Sequence, residues 1–164
     1  MAFYTGRTGA LYLTSAGTGD ATPVDAEKTL KLRDWSLETT LTLLETTTVD
    51  TAIKTYTPGD AAATGSATVL YYRRVGTVGT EPGVQFDQFL SKIMKTTADG
   101  VTESDRVGIV LRVGQTAGVG VDIKDDIAFN AYITNASMQV STGELSSVAI
   151  QFTVDGPFRE IPDA

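Results

Sequence analysis

The chain has 164 residues, enough for one domain that buries roughly 68–70% of its unfolded surface. It contains no Cys and no His, which excludes disulfide frameworks, thiolate zinc sites, thiol nucleophiles and every imidazole acid or base. Its 13 Lys and Arg stand against 20 Asp and Glu, a formal charge of −7, which opposes phosphate binding as a surface-wide property and argues against a nucleic-acid reader.

No apolar run approaches the roughly 18 residues that span a bilayer. The opening, Met1-Ala2-Phe3-Tyr4-Thr5-Gly6-Arg7, lacks an apolar signal core. The expectation is a protein made and kept in an aqueous compartment, with no membrane partner. Thr, Gly, Val and Ala dominate and Pro is scarce, which suits strands joined by Gly turns.

In chain order, a lead-in over about residues 1–9 precedes a short strand around Leu11 and Leu13, then a turn-rich stretch through Gly17, Gly19, Asp20 and Pro23. Residues 28–44 carry the clearest period-two pattern. Leu30 and Leu32 share one face, and the apolar set then shifts to Trp35, Leu37, Leu41 and Leu43. That change of parity asks for a bulge or bend near Asp34. Trp35, the sole tryptophan, is expected as a core landmark.

The Gly- and Ala-rich stretch from Tyr56 to Gly65 reads as an exposed loop or hairpin tip, so a loop is expected over about residues 54–66. A strand follows from Ser66 to Val75, with apolar groups on both faces. Phe86, Phe89, Leu90, Ile93 and Met94 recur at helical spacing, which predicts one flanking helix over about residues 84–96. Val107, Ile109, Leu111 and Val113 alternate as a strand, as do Ile127, Phe129, Ala131 and Ile133. Around Thr134 the parity shifts again, to Ala136, Met138 and Val140. The last strand carries Val148, Ile150, Phe152 and Val154. A C-terminal arm over about residues 155–164 is expected to leave the sheet, because Pro157 and Pro162 cannot continue a central strand.

The candidate chemistry is thin. Asp122, Asp125 and Asp126 lack the spacing of a calcium loop and read as a solvated turn before the Ile127 strand. Residues 59–66 lack the Lys and the following helix of a phosphate loop. Glu38 and Glu45 are the one carboxylate pair worth locating for hydrolytic chemistry. Arg73-Arg74 is an isolated basic pair, and Asn135-Ala136-Ser137 is a glycosylation pattern without a secretion signal. No catalytic, cofactor-binding or metal-binding residue is assigned.

Four pieces recur in a meaningful order: Gly6-Arg7-Thr8-Gly9-Ala10-Leu11-Tyr12-Leu13; Leu32-Arg33-Asp34-Trp35-Ser36-Leu37 ahead of Glu45-Thr46-Thr47; Thr64-Gly65-Ser66-Ala67 leading to Tyr71-Tyr72; and Ala131-Tyr132-Ile133-Thr134-Asn135-Ala136-Ser137 before Val148-Ala149-Ile150-Gln151-Phe152-Thr153-Val154-Asp155-Gly156-Pro157. Together they resemble the major tail tube proteins of long-tailed bacteriophages. The resemblance implies a mainly β, sandwich- or barrel-type domain over residues 1–164, with its sheet shared between subunits. It further implies stacked hexameric rings whose innermost strands join around a genome channel, in a virion tail assembled in the host cytoplasm. The implied partners are other copies of the chain, tail tip or baseplate and terminator proteins, and a tape measure protein and DNA passing through the lumen without sequence-specific binding. No cofactor is implied.

On that reading Phe3, Tyr4, Tyr56, Phe158 and Ile161 are the expected subunit contacts, since large apolar groups in lead-in, loop and arm must be buried somewhere. The acidic balance would make a channel wall that repels phosphate. The rival readings are the tube protein of a related contractile injection machine and, from another class, a carbohydrate-binding or adhesin β-sandwich with exposed aromatics on one flat face.

Overall fold

The computed structural model describes residues 9–15, 32–49, 53–70, 90–116 and 123–162. Six strands are described: β1 (Ala10–Ser15), β2 (Leu32–Glu45), β3 (Tyr56–Leu70), β4 (Val107–Thr116), β5 (Ile123–Gln139) and β6 (Ser147–Glu160). They form one sheet in the order β1-β4-β5-β6-β3-β2, with every neighbouring pair antiparallel. Leu11 and Leu13 of β1 share a core cluster with Leu32, Trp35 and Leu37 of β2, although these strands lie at opposite ends of that order. The sheet therefore curls on itself as a barrel-type fold, burying one face without a second sheet among the described residues.

That core is built from alternate residues, as a pleated strand requires. Val107, Ile109 and Leu111 of β4 meet Phe129, Ala131 and Ile133 of β5, and Val148, Ile150 and Phe152 of β6. Each fully buried side chain of this size contributes roughly 1.5–3 kcal/mol. Phe129 stacks on Phe152 with centroids 5.6 Å apart and receives the edge of Phe158 at 5.7 Å. The centre of β4 is buried on both faces, since Val110 packs with Ala10, Tyr12 and Ala128 on the side away from the main core.

Both expected parity changes are bulges. Leu32 faces Val69 and Asp34 faces Thr68, which leaves Arg33 as the extra residue of β2. Ile133 faces Phe152 and Asn135 faces Gln151, which leaves Thr134 as the extra residue of β5. Each insertion lets the apolar set stay on the core side although its sequence parity changes.

Three expectations are corrected. The loop expected over residues 54–66 is instead the first two-thirds of β3, which begins at Tyr56; its small residues carry no periodic signal, and pairing with β2 decides their conformation. The C-terminal arm stays in the sheet: β6 runs through Pro157 to Glu160, and only residues 156–159 bulge out before Glu160 returns opposite Ala128. Gly156 makes the excursion at φ 82°, and a Pro is tolerated where no ladder bond is required. The strand expected at Ile127 starts at Ile123 and takes in Asp125 and Asp126. Leu41 and Leu43, which continue the apolar face of Trp35 and Leu37, are each 54% exposed.

Of the expected helix, residues 84–89 lie outside the described residues. Leu90 is helical, the Met94 amide donates to the Leu90 carbonyl at 2.7 Å, and the chain has left helical conformation by Lys95. Leu90 and Ile93 pack against the core from this turn. A 3-10 turn, Glu103–Asp105, then leads into β4.

Candidate functional site

The strands β2, β3, β6 and β5 form a four-stranded unit whose two faces differ. Its core face is apolar. Its other face is laid out by the register in rows: Asp34, Thr68, Ala149 and Ser137; Ser36, Ser66, Gln151 and Asn135; Glu38, Thr64, Thr153 and Tyr132. The Oγ atoms of Ser36 and Ser66 lie 2.9 Å apart across the strands. A shallow groove of about 340 Å³ follows this face. Every side chain in the three rows is small, hydroxylated, amide or aromatic apart from the acids Asp34 and Glu38. None of these row residues is basic; Arg33, the extra residue of the β2 bulge, is exposed beside Asp34.

The edges of the unit are open. Among the described residues, β2 pairs with β3 alone, which leaves its outer edge free along the strand. The pairing of β5 with β4 ends at Ala131, so the outer edge of β5 from Tyr132 to Gln139 is also free of described strands. Long free edges invite pairing with another chain.

Beyond the core the unit also sheds its cover. β6 pairs with β3 only as far as Thr64, so residues 39–45 and 56–63 continue as a two-stranded ribbon. The core-facing side of that ribbon carries Leu41, Leu43, Pro58 and Tyr56 beside Thr39 and Glu45, and Leu41, Leu43 and Tyr56 are about half exposed. An isolated ribbon is marginally stable in water. Thr46 and Thr55 close its end, with the Thr46 amide donating to the Thr55 carbonyl at 2.8 Å.

The expected contact residues fall in different settings. Phe3 and Tyr4 lie outside the described residues. Tyr56 sits at the ribbon end and Ile161 just beyond β6, 51% and 64% exposed. Phe158 is half-buried, with its ring against Phe129. Trp35 is half-buried at the border of the core, on the edge strand β2.

The carboxylates assemble no reactive site. Glu38 and Glu45 are seven positions apart on one strand, roughly 23 Å, and Glu45 is 3.5 Å from Lys54 at the ribbon end. Asp122 lies outside the described residues, as do Arg73 and Arg74. Asp126, expected in a solvated turn, is buried: its carboxylate accepts from Arg112 Nε at 2.7 Å and Nη2 at 2.8 Å, while Arg112 Nη1 donates to Tyr12 Oη at 2.7 Å. Arg112 and this pairing went unread in the sequence. The signal was a lone Arg among the alternating aliphatics of β4. Among the described residues no cluster of three or more acids could hold a metal ion.

No family model matches the chain, and no curated protein matches it. Solved structures do. The chain is similar to the SPP1 tail tube structure from solid-state NMR and cryo-EM, at 14% identity and a TM-score of 0.59, over 97% of this chain and 79% of that one. It is similar to the tail of an empty gene transfer agent particle refined with helical, C6 symmetry, at 12% identity and a TM-score of 0.63, over 98% of this chain and all of that one. A chain of the native gene transfer agent virion matches at 11% identity and a TM-score of 0.61, over 99% of this chain and all of that one. The likeness spans the whole chain and is one of fold.

Proposed function

We propose that this chain is a structural subunit of a phage-type tail tube, polymerising into stacked rings that form a conduit for DNA, and that it catalyses no reaction. The observation that carries the reading is the four-stranded unit with two open edges. β2 runs towards the ribbon end, β3 away from it, β6 towards it and β5 away. A neighbour in the same orientation therefore sets its β5 antiparallel to this β2 and continues the alternation without a break. Repeated around an axis, that pairing closes a barrel and leaves no edge exposed. Main-chain hydrogen bonds at the seam supply the association energy, as in any strand addition.

The whole-chain fold likeness to tail tube structures supports six copies per ring, since one of those tails was refined with C6 symmetry. The polar face fits the bore. Its three paired rows carry Asp34 and Glu38 and no cation, which weakens any hold on phosphate, so DNA slides over them instead of sticking. In this setting the subunit belongs to a virion tail, meets tip or baseplate and terminator proteins at the tube ends, and encloses a tape measure protein before DNA.

Negative-stain microscopy of the purified protein, with and without a tail initiator complex, tests the reading. Rings or tubes of uniform bore are expected. A protein that stays monomeric under all these conditions and binds a glycan array instead would overturn it.

A further inference from the structure

We infer that Asp99-Gly100 is a site of spontaneous covalent modification, where Asp99 isomerises to isoaspartate and makes the chain a substrate for an isoaspartyl carboxyl methyltransferase. The inference does not depend on the tube reading.

The reaction needs a carboxyl free to swing onto the next residue, an uncrowded amide nitrogen there, and main chain able to turn between them. A following Gly leaves the nitrogen uncrowded, because it has no Cβ. The chain has two such steps, Asp99-Gly100 and Asp155-Gly156. Their glycines are alike, at φ 68° and 82°, each with open space where a Cβ would stand. The fold separates the two aspartates. Asp155 lies in β6 opposite Asn130, and its carboxylate accepts from Arg106 Nη1 at 3.0 Å. Ring closure at that step has to break strand pairing and an ion pair together. Asp99 lies in a turn within the exposed run 96–101. Among the described residues, neither its carboxylate nor the Gly100 amide has a hydrogen-bond partner. Such a segment opens at little cost, whereas a paired strand does not.

In the first step the Gly100 nitrogen bonds to Cγ of Asp99, and the carboxyl hydroxyl leaves with the amide proton as water. Water then adds to the main-chain carbonyl carbon of the resulting succinimide, the bond from that carbon to nitrogen breaks, and a proton returns to nitrogen. The chain now runs through Cβ and Cγ, and the former main-chain carbonyl carbon ends as a free carboxylate. No oxidant or cofactor takes part, and the net charge is unchanged. The loop has room for the extra methylene in its main chain, since residues 96–101 belong to no strand. Its two ends are held by one group: the Asp105 carboxylate accepts from Lys95 before the loop and from the Thr102 amide after it.

Trypsin separates the two steps, because cleavage after Lys95, Arg106, Lys124 and Arg159 puts Asp99 in peptide 96–106 and Asp155 in peptide 125–159. The purified chain is aged at neutral pH and physiological temperature, then treated with isoaspartyl methyltransferase and labelled S-adenosylmethionine, whose sulfonium methyl passes to an oxygen of the new carboxylate. Label is expected in peptide 96–106, with a second chromatographic peak of unchanged mass from unlabelled samples, and not in peptide 125–159. Asp99→Glu should abolish the label, because Glu would have to close a larger ring. A sample aged in guanidinium chloride should label both peptides, since only the fold distinguishes them. Circular dichroism checks that the native sample stays folded throughout. Equal label in both peptides of the folded chain overturns the inference, as does label that survives Asp99→Glu. A folded chain without label in peptide 96–106, when the unfolded chain carries it, also overturns the inference by showing that the turn holds Asp99 against closure.

Discussion

A methyl group added at Gly65 would lie 2.5 Å from the Ser36 carbonyl oxygen and 2.5 Å from Cζ of Phe152. The glycine is there so that the Phe152 ring can lie across β3 where Leu37, Gly65 and Phe152 share a row of the core face. Gly65→Ala should cost about 1–3 kcal/mol by overpacking, measured by denaturant unfolding of the isolated subunit. In a Phe152→Leu background the penalty should shrink but persist, because the Ser36 carbonyl is backbone and cannot turn away. A second test lies on the other face, where Arg112 and Asp126 are both nearly fully buried. Asp126→Ala strands a buried guanidinium and should cost about 3–5 kcal/mol, whereas replacing both partners with apolar residues of similar volume should cost far less. Asp105 offers a pH readout. Its carboxylate accepts from Lys95 and from the Thr102 amide, the latter at 2.9 Å, and these contacts, Lys95 foremost, hold its pKa below the ordinary aspartate range. The charged form is thus favoured in the folded state. The resulting stability is present above the unfolded carboxylate pKa and is lost as pH falls through the lower folded value. Asp105→Asn should flatten that part of the acid limb of an unfolding-midpoint profile, and an unchanged limb would show that the pair contributes nothing.

At the scale of elements, the β2–β3 ribbon is where the isolated subunit should be weakest. Amides of residues 39–45 and 56–63 beyond the reach of β6 should exchange with deuterium quickly in the monomer, while those of β4, buried on both faces, exchange slowly. Assembly should protect the outer amides of β2. The same event has an optical signal, because the single Trp35 sits half-buried on that edge strand and its emission should shift to the blue when a neighbouring strand covers it. How far the elements were legible follows from what each depends on. The bulges at Arg33 and Thr134 were readable because a parity change in a strand buried on one face has no other cheap solution. β3 was not, because Gly59, Asp60 and the run of Ala61, Ala62 and Ala63 look alike as loop or strand until β2 is beside them. Leu41 and Leu43 continue the right alternation, so the pattern marked their face correctly; it could not say where the covering layer stops. The arm misled for a related reason, since Pro157 breaks a ladder only where the ladder needs its amide, and residues 156–159 bulge out of pairing with β5. Of the candidate site, the acidic character was legible from composition, but the gathering of Asp34 and Glu38 onto one face required the register.

The whole molecule holds its net charge of −7 unevenly with respect to the proposed bore, and that distribution can be reversed at one position. Glu38 is exposed, lies on the polar face beside Thr64 and Thr153, and faces no other charge within its row. Glu38→Lys changes each copy by two charge units and repeats that change in every ring, which would turn a wall that repels phosphate into a periodic line of cations. Assembly should survive, because main-chain pairing at the open edges does not use this side chain. Short duplex DNA should then co-sediment with variant tubes at low salt and be released as salt rises, since counterion release makes such binding steeply salt-dependent. Wild-type tubes should leave the DNA in the supernatant throughout. In a complete tail, the same substitution should slow genome ejection without lowering the yield of tails. A variant tube that ignores DNA would place Glu38 off the bore, and a wild-type tube that binds DNA equally well would remove the acidic wall from the account of how DNA passes.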